Sequence, residues 1–411
     1  MPFCHVSKYE EGNQRSDTGH GIKIYYRRYG RGRTKVLLIT GLAGTHDSWG
    51  PQIEGLTGSL EPNDEESPSS GDSAADSAAD GSIRGAEADD GIEVCSFDNR
   101  GMGRSSVPTK KSEYTTTKMA KDAQALLDHL GWEKAHVVGH SMGAMIACKL
   151  AAVASNRLSS LALLNVTGGG YECLPKINGQ MISLAYRFLR AKNPEQRAMV
   201  DLETHYTKEY LDEQVGSSTR GKILYQQYVR AISSTGMQST YGFEGQVNAC
   251  WTHRVTSKDV DVIRSAGFHV SVIHGRYDII AQISHAKKIA EKLHPVARMV
   301  ELHGAHLVSH ERPKEVNQSL LELIKASESN LSLHMWSCLS KNETGWATFR
   351  LSTLPDRLCN ESGTCLETTT DLLSKFQFSL LYFFGLFVMA FGYVRKILRL
   401  AKPDRVGEMV S

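Results

Sequence analysis

The chain has 411 residues, 41% of them apolar and 22% charged, with a formal net charge of +2. This fits a globular protein with a sizeable core in up to three domains, and it favours neither nucleic acid nor an acidic partner. The eight cysteines are scattered without a C-x-x-C, which excludes a metal knuckle or redox pair by spacing.

Residues 1–20 are polar and read as a poorly ordered tail without the apolar stretch of a secretory signal. From Gly21 to Tyr29, apolar Ile22, Ile24 and Tyr26 alternate with other residues, predicting an early antiparallel strand. Val36–Ile39 is a continuous apolar run, as in a strand buried on both faces. It ends in a glycine-rich turn, Thr40-Gly41-Leu42-Ala43-Gly44. Residues 61–90 are acidic and rich in Ser, Asp and Ala, with a direct repeat at Ser73–Asp76 and Ser77–Asp80. Few large apolar groups are available there to offset ordering entropy, so the stretch reads as a disordered insert. The alternative is an acidic interaction or phosphorylation loop. Ile92–Phe97 predicts the next strand, followed by Asp98-Asn99-Arg100-Gly101, in which Asp98 and Arg100 read as braces of a turn. Met119, Ala123, Leu126, Leu127 and Leu130 recur at helical spacing until Gly131.

The central stretch is Gly139-His140-Ser141-Met142-Gly143. It follows an apolar strand-like run, Ala135–Val138, and precedes a helix-forming run, Ala144–Ala152. Strand, sharp turn and helix with a serine at the apex is the context in which G-x-S-x-G presents a nucleophile. The helix start beside it supplies unpaired N–H groups and a partial positive charge. Leu161–Val166 predicts another strand, and the alternation argues for an α/β fold with a mostly parallel sheet covered by helices. Gly168-Gly169-Gly170 lacks both phosphate-loop spacings and reads as a flexible exit into a lid.

The lid is expected over residues 171–254. One amphipathic helix carries Met181, Ile182, Leu184, Ala185, Phe188 and Leu189. A second opens at Asn193-Pro194, and a third passes through Ile223, Leu224, Tyr228 and Ile232. Their apolar faces require the top of the sheet, leaving an apolar pocket over Ser141. Tyr241, Phe243 and Trp251 either line that pocket or belong to the core. Val270–Ile273 then predicts a strand leading to Asp278, and Arg298–Leu302 another leading to His303 and His306. His310 is a third imidazole nearby. Pro313 opens a closing helix through Val316, Leu320, Leu323 and Ile324.

Five motifs, Gly41–Gly44, Asp98–Ser105, Gly139–Gly143, Gly275–Asp278 and Gly304–His306, resemble those of the α/β-hydrolase superfamily with a single helical lid. The resemblance implies a core over 21–170 and 255–326, with the lid at 171–254 inserted after the sixth strand. It selects His306 over His303 and His310, giving a Ser141–Asp278–His306 triad in the chain order of that family. The backbone N–H groups of Leu42 and Met142 are the expected oxyanion donors, although Thr40-Gly41 stands where the family usually has His-Gly. The serine also argues against the epoxide-hydrolase and dehalogenase chemistries of related proteins, which place an aspartate there.

Residues 327–375 read as a polar stalk, residues 376–394 as a transmembrane helix, and residues 395–411 as a basic tail. The run Phe376–Val394 carries no charge, and its 19 residues suit a hydrocarbon core of about 30 Å. The basic residues after it would favour a cytosolic tail. The short tail also permits insertion after synthesis, and a single-pass C-terminal anchor with a cytosolic catalytic domain is the preferred expectation. Asn330, Asn342 and Asn360 begin glycosylation signals that test it. Cys359 and Cys365 are a candidate disulfide pair.

The expected function is a serine hydrolase that cleaves a carboxylic ester, small or lipid-derived, through an acyl-enzyme on Ser141. An acyltransferase and a slow-turnover ligand sensor or scaffold are the alternatives, with small amides and carbamates also open as substrates. No metal, nucleotide or organic cofactor is implied.

Overall fold

A computed structural model describes residues 2–6, 21–63, 90–235 and 238–338. Contacts divide the chain into two units, Met1–Ala347 and Thr348–Ser411, and all the described residues lie in the first. The bulk of the 61–90 insert, the Cys359–Cys365 pair, the 376–394 span and the 395–411 tail lie outside the described residues.

The strands in chain order are β1 (Phe3–Val6), β2 (Ile22–Tyr29), β3 (Thr34–Ile39), β4 (Ile92–Phe97), β5 (Ala135–His140), β6 (Leu158–Leu164), the short lid pair β7 (Gln214–Val215) and β8 (Ser218–Thr219), β9 (His269–Gly275) and β10 (Ala297–Leu302). Eight of them form one sheet in the order β1-β2-β4-β3-β5-β6-β9-β10. From β4 to β10 neighbouring strands run parallel, and β2 and β1 add an antiparallel edge. Every residue of β5 and β9 is buried, because helices cover both faces there.

One face carries α2 (Thr116–His129), α3 (Met142–Val153), α9 (Ser257–Ser265) and α10 (Ile283–Lys292); the other carries α1 (Gly50–Thr57), α12 (Pro313–Glu328) and α13 (Leu333–Cys338). The spacing of Met119, Ala123, Leu126 and Leu127 places all four in the first core. Gly131 follows α2 at φ 66°, the left-handed stop that a glycine accepts without strain. Cys95 and Cys148 are buried among apolar side chains.

A group of helices follows β6, over the residues where the lid is expected. It contains α4 (Gly179–Arg190), α5 (Pro194–His205), α6 (Lys208–Asp212), α7 (Arg220–Thr235) and α8 (Thr240–Thr252). Pro194 stands at the first helical position of α5, and the Asn193 side chain accepts from the Gln196 N–H.

Three expectations are corrected. The N-terminal tail is not wholly loose: β1 pairs with β2, and Cys4 and Val6 are buried. Four residues are too few for a periodicity to register. The folded unit also does not stop at 326. Helix α12 runs to Glu328, and α13 inserts Trp336, 1% exposed, with its indole N–H donating to the Val270 carbonyl at 2.8 Å. Finally, Gly169 and Gly170 are packed, not open. Both have positive φ, and a Cβ on Gly169 would lie 2.5 Å from the His253 carbonyl oxygen.

Candidate active site

Ser141 occupies the turn between β5 and α3 at φ 54°, ψ −118°, outside the comfortable regions for a side chain with a Cβ. The surrounding backbone enforces this. A Cβ on Gly139 would meet the Gly143 carbonyl oxygen at 2.3 Å, and one on Gly143 would meet the Ile39 carbonyl oxygen at 2.0 Å. Both positions therefore require glycine, and the turn closes tightly enough to lift the serine side chain off the sheet.

His306 follows β10 and is 4% exposed. Its Nε2 lies 3.0 Å from Ser141 Oγ, and its Nδ1 lies 2.8 Å from Asp278 Oδ2. The three residues selected from the sequence are thus brought together from three loops. Asp278 Oδ1 accepts the Ile280 and Ala281 N–H groups, each at 2.8 Å, and Oδ2 also accepts Asn165 Nδ2 at 2.7 Å. Burial opposes the charge of Asp278. The facing His306, then His274 and the Asn165 amide, outweigh it and bring the carboxyl down to about 2. Asp278 therefore stays ionised and can hold the His306 Nδ1–H tautomer.

Of the expected oxyanion donors, Met142 begins α3, so its N–H has no acceptor within the helix. Leu42 lies in the turn after β3, and neither N–H has an acceptor among the described residues. A Cβ on Gly41 would come 3.3 Å from Ser141 Cβ, which places that turn against the serine.

The rival histidines are used elsewhere. His303 is an outer residue, edge-on to the Tyr277 ring and 3.2 Å from Glu209. His310 is held by the Ser48 carbonyl and the Tyr206 hydroxyl. His140 packs beneath the elbow, its Nε2–H donating to the His306 carbonyl at 2.8 Å, and burial pushes its pKa down to about 3. Asp98 and Arg100 brace the neighbouring turn. Asp98 accepts from the His46 backbone and ring and from the Arg104 N–H, while Arg100 pairs in bidentate fashion with the buried Asp122, each bond 2.6 Å.

Four residues of the site were not singled out from the sequence. Asn165, just past β6, bridges Asp278 and the Ala305 carbonyl. Gln246 of α8 is fully buried, accepting the Ala43 N–H at 2.9 Å and donating to the Arg100 carbonyl at 3.0 Å. Glu311 is buried and accepts the Ala305 N–H, the Thr207 N–H and the Thr207 hydroxyl. His205, the last residue of α5, places its ring 5.6 Å from the His306 ring. No local pattern marks such residues, because each acts on a segment at least six positions away.

The space expected over Ser141 is therefore partly filled by the lid. Tyr241 and Trp251 do not join the core, being 59% and 50% exposed, while Phe243 packs against Phe188. A cavity of 210 Å³ opens beside the acid, lined by Met181, Ile279 and Ile283 together with Lys176 and Arg276. A second, of 540 Å³, lies between α4 and α5 and is lined by residues of the lid alone. No cluster of His, Cys, Asp or Glu that could hold a metal occurs among the described residues.

A largely parallel sheet between helices, with a serine elbow and an acid and histidine on later loops, defines the α/β-hydrolase architecture. The alpha/beta hydrolase fold family matches residues 35–313, and the chain belongs to it. Over 195 residues it is 28% identical to RutD of Azorhizobium caulinodans, named as a carbamate hydrolase, covering 47% of this chain and 54% of that protein. BpoC of Mycobacterium tuberculosis, named as a non-heme bromoperoxidase, is 28% identical over 235 residues, covering 56% of this chain and 82% of that protein. The chain spans about half the length of the curated relatives it first matches. Among solved structures, the enol-lactonase of Burkholderia xenovorans superposes with a TM-score of 0.55 at 20% identity, covering 74% of this chain and 97% of that one. An esterase of Thermogutta terrifontis gives 0.55 at 18%, covering 80% and 99%. Both are likenesses of fold.

Proposed function

We propose that the chain is a serine hydrolase that cleaves a carboxylic ester, small or lipid-derived. The observation that carries this reading is the continuous relay from Ser141 Oγ through His306, 3.0 Å, to Asp278, 2.8 Å. His306 takes the Ser141 proton as the oxygen attacks the carbonyl, and Asp278 stabilises the imidazolium. The Met142 and Leu42 N–H groups receive the oxyanion, where each such donor typically lowers the barrier by about 2.7–4 kcal/mol. His306 then returns the proton to the leaving alcohol, and water, activated by the same imidazole, releases the acid from Ser141. The names of the carbamate hydrolase, lactonase and esterase above fit acyl chemistry at one serine.

The test is labelling of the full-length chain with a fluorophosphonate, beside Ser141→Ala and His306→Ala. Strong labelling of the wild type, lost in both variants, is expected. A folded wild type that neither labels nor hydrolyses small esters would refute the reading.

We propose further that residues 376–394 anchor the chain in a membrane, with the catalytic unit in the cytosol. The charge-free length of that run supports this. Among the described residues no helix is long and apolar enough to cross a membrane. Glycosylation of Asn342 in cells would overturn the cytosolic placement.

A further inference from the structure

Among the described residues, His205 is the one imidazole between β6 and β9 whose ring stands beside that of His306. Its backbone carbonyl accepts the Leu307 N–H at 3.0 Å, which fastens the end of α5 to the residue after His306. Its ring stands 5.6 Å from that of His306, the two tilted by 57°. The Nδ1 atom lies 2.6 Å from the Asp201 carbonyl oxygen, one helical turn back. A carbonyl oxygen only accepts, so Nδ1 carries the proton and Nε2 of the neutral ring keeps its lone pair. Burial and the nearby His306 hold the pKa of His205 below the usual histidine range, so the ring is neutral at pH 7. Among the described residues no donor meets Nε2. The structure therefore presents a hydrogen-bond acceptor on a ring that stands beside the His306 imidazole.

That side matters chemically. The imidazole that takes the serine proton returns it to the departing oxygen or nitrogen, so the leaving group lies towards His306. We infer that His205 is a substrate-contacting residue whose Nε2 accepts a hydrogen bond from an O–H or N–H donor carried by the leaving group. The inference rests on the hydrolase reading above and narrows it. Preferred substrates carry such a donor, as partial esters of polyols do, and simple alkyl esters do not. An acceptor that substrate shuts off from water without supplying a donor penalises the plain ester, which is the stronger form of selectivity.

The experiment compares ethyl butanoate with 2-hydroxyethyl butanoate on the full-length chain, alongside fluorophosphonate labelling of Ser141. The wild type should favour the hydroxyethyl ester by about tenfold in kcat/KM, the worth of one hydrogen bond of about 1.4 kcal/mol. In His205→Leu that ratio should collapse towards one. His205→Gln restores an acceptor and should recover part of it, which separates loss of the contact from loss of the fold. Equal wild-type rates, a ratio unchanged in His205→Leu, or a labelled wild type that cleaves neither ester overturns the inference. A wild type that fails to label instead overturns the hydrolase reading beneath it.

Discussion

Ser141, Asp278 and His306 were legible because each lies in a short motif whose meaning is local: a strand end, a glycine and a reactive side chain. Asn165 was not, because its value depends on β6 lying beside β9, which no reading of residues 161–166 contains. It supplies a donor at 2.7 Å to the oxygen that holds His306. Asn165→Ala should slow ester turnover by roughly three- to tenfold, the worth of one net hydrogen bond, with KM little changed. Steady-state kinetics on a small ester would check this. Asp278→Asn reverses the tautomer preference of His306 and should lower kcat by about 10⁴-fold while leaving substrate binding nearly intact. The low pKa of Asp278 also fixes a sign. Its folded value, about 2, lies below the ordinary 3.8. Its contribution to stability is therefore present above pH 3.8 and is lost as the pH falls towards 2.

At the scale of elements, the helices were legible from apolar spacing and caps, but their partners were not. The spacing in α4 marks one stripe, yet Leu184 is buried while Ile182 is 61% exposed. Periodicity reports which residues share a face and not what covers it. The joints between elements are polar. Glu311 joins the lid at Thr207 to the histidine loop at Ala305 through three hydrogen bonds of 2.7–3.0 Å. Glu311→Ala leaves three donors without an acceptor, at about 1–3 kcal/mol for each that stays dry. A drop in Tm of several degrees and a loss of turnover are expected, with Glu311→Gln milder in both. Thermal melts and ester kinetics on the two variants would read this; equal melts for wild type and Glu311→Ala would remove the joint from the account.

At the scale of the whole molecule, several histidines are buried among the described residues. Burial pushes His136 down to about 4, and His140 and His253 to about 3. These rings stay neutral in the folded chain but take up protons in the unfolded one below pH 6.5. The unfolded state then binds more protons, so stability falls as the pH drops from 6.5 towards 4. Three such groups imply a loss of about 4 kcal/mol per pH unit at the steepest. Calorimetry at pH 7.0 and 5.5 should show a markedly lower Tm at the acid value, and His136→Gln should flatten the dependence. The mostly parallel sheet was legible from the alternation of strands and helices, but its edge was not, since β1 is four residues within a polar stretch. That edge has a practical meaning. With β1 in place, one side of β2 is paired from Ile22 to Tyr25. A chain begun at residue 21 would bare that row of N–H and C=O groups and uncover Tyr25, Ile24 and the surface of α2. An open strand edge of this kind is a template for strand exchange between copies. Residues 3–6 thus leave the sheet with a four-residue edge strand in place of the eight-residue β2.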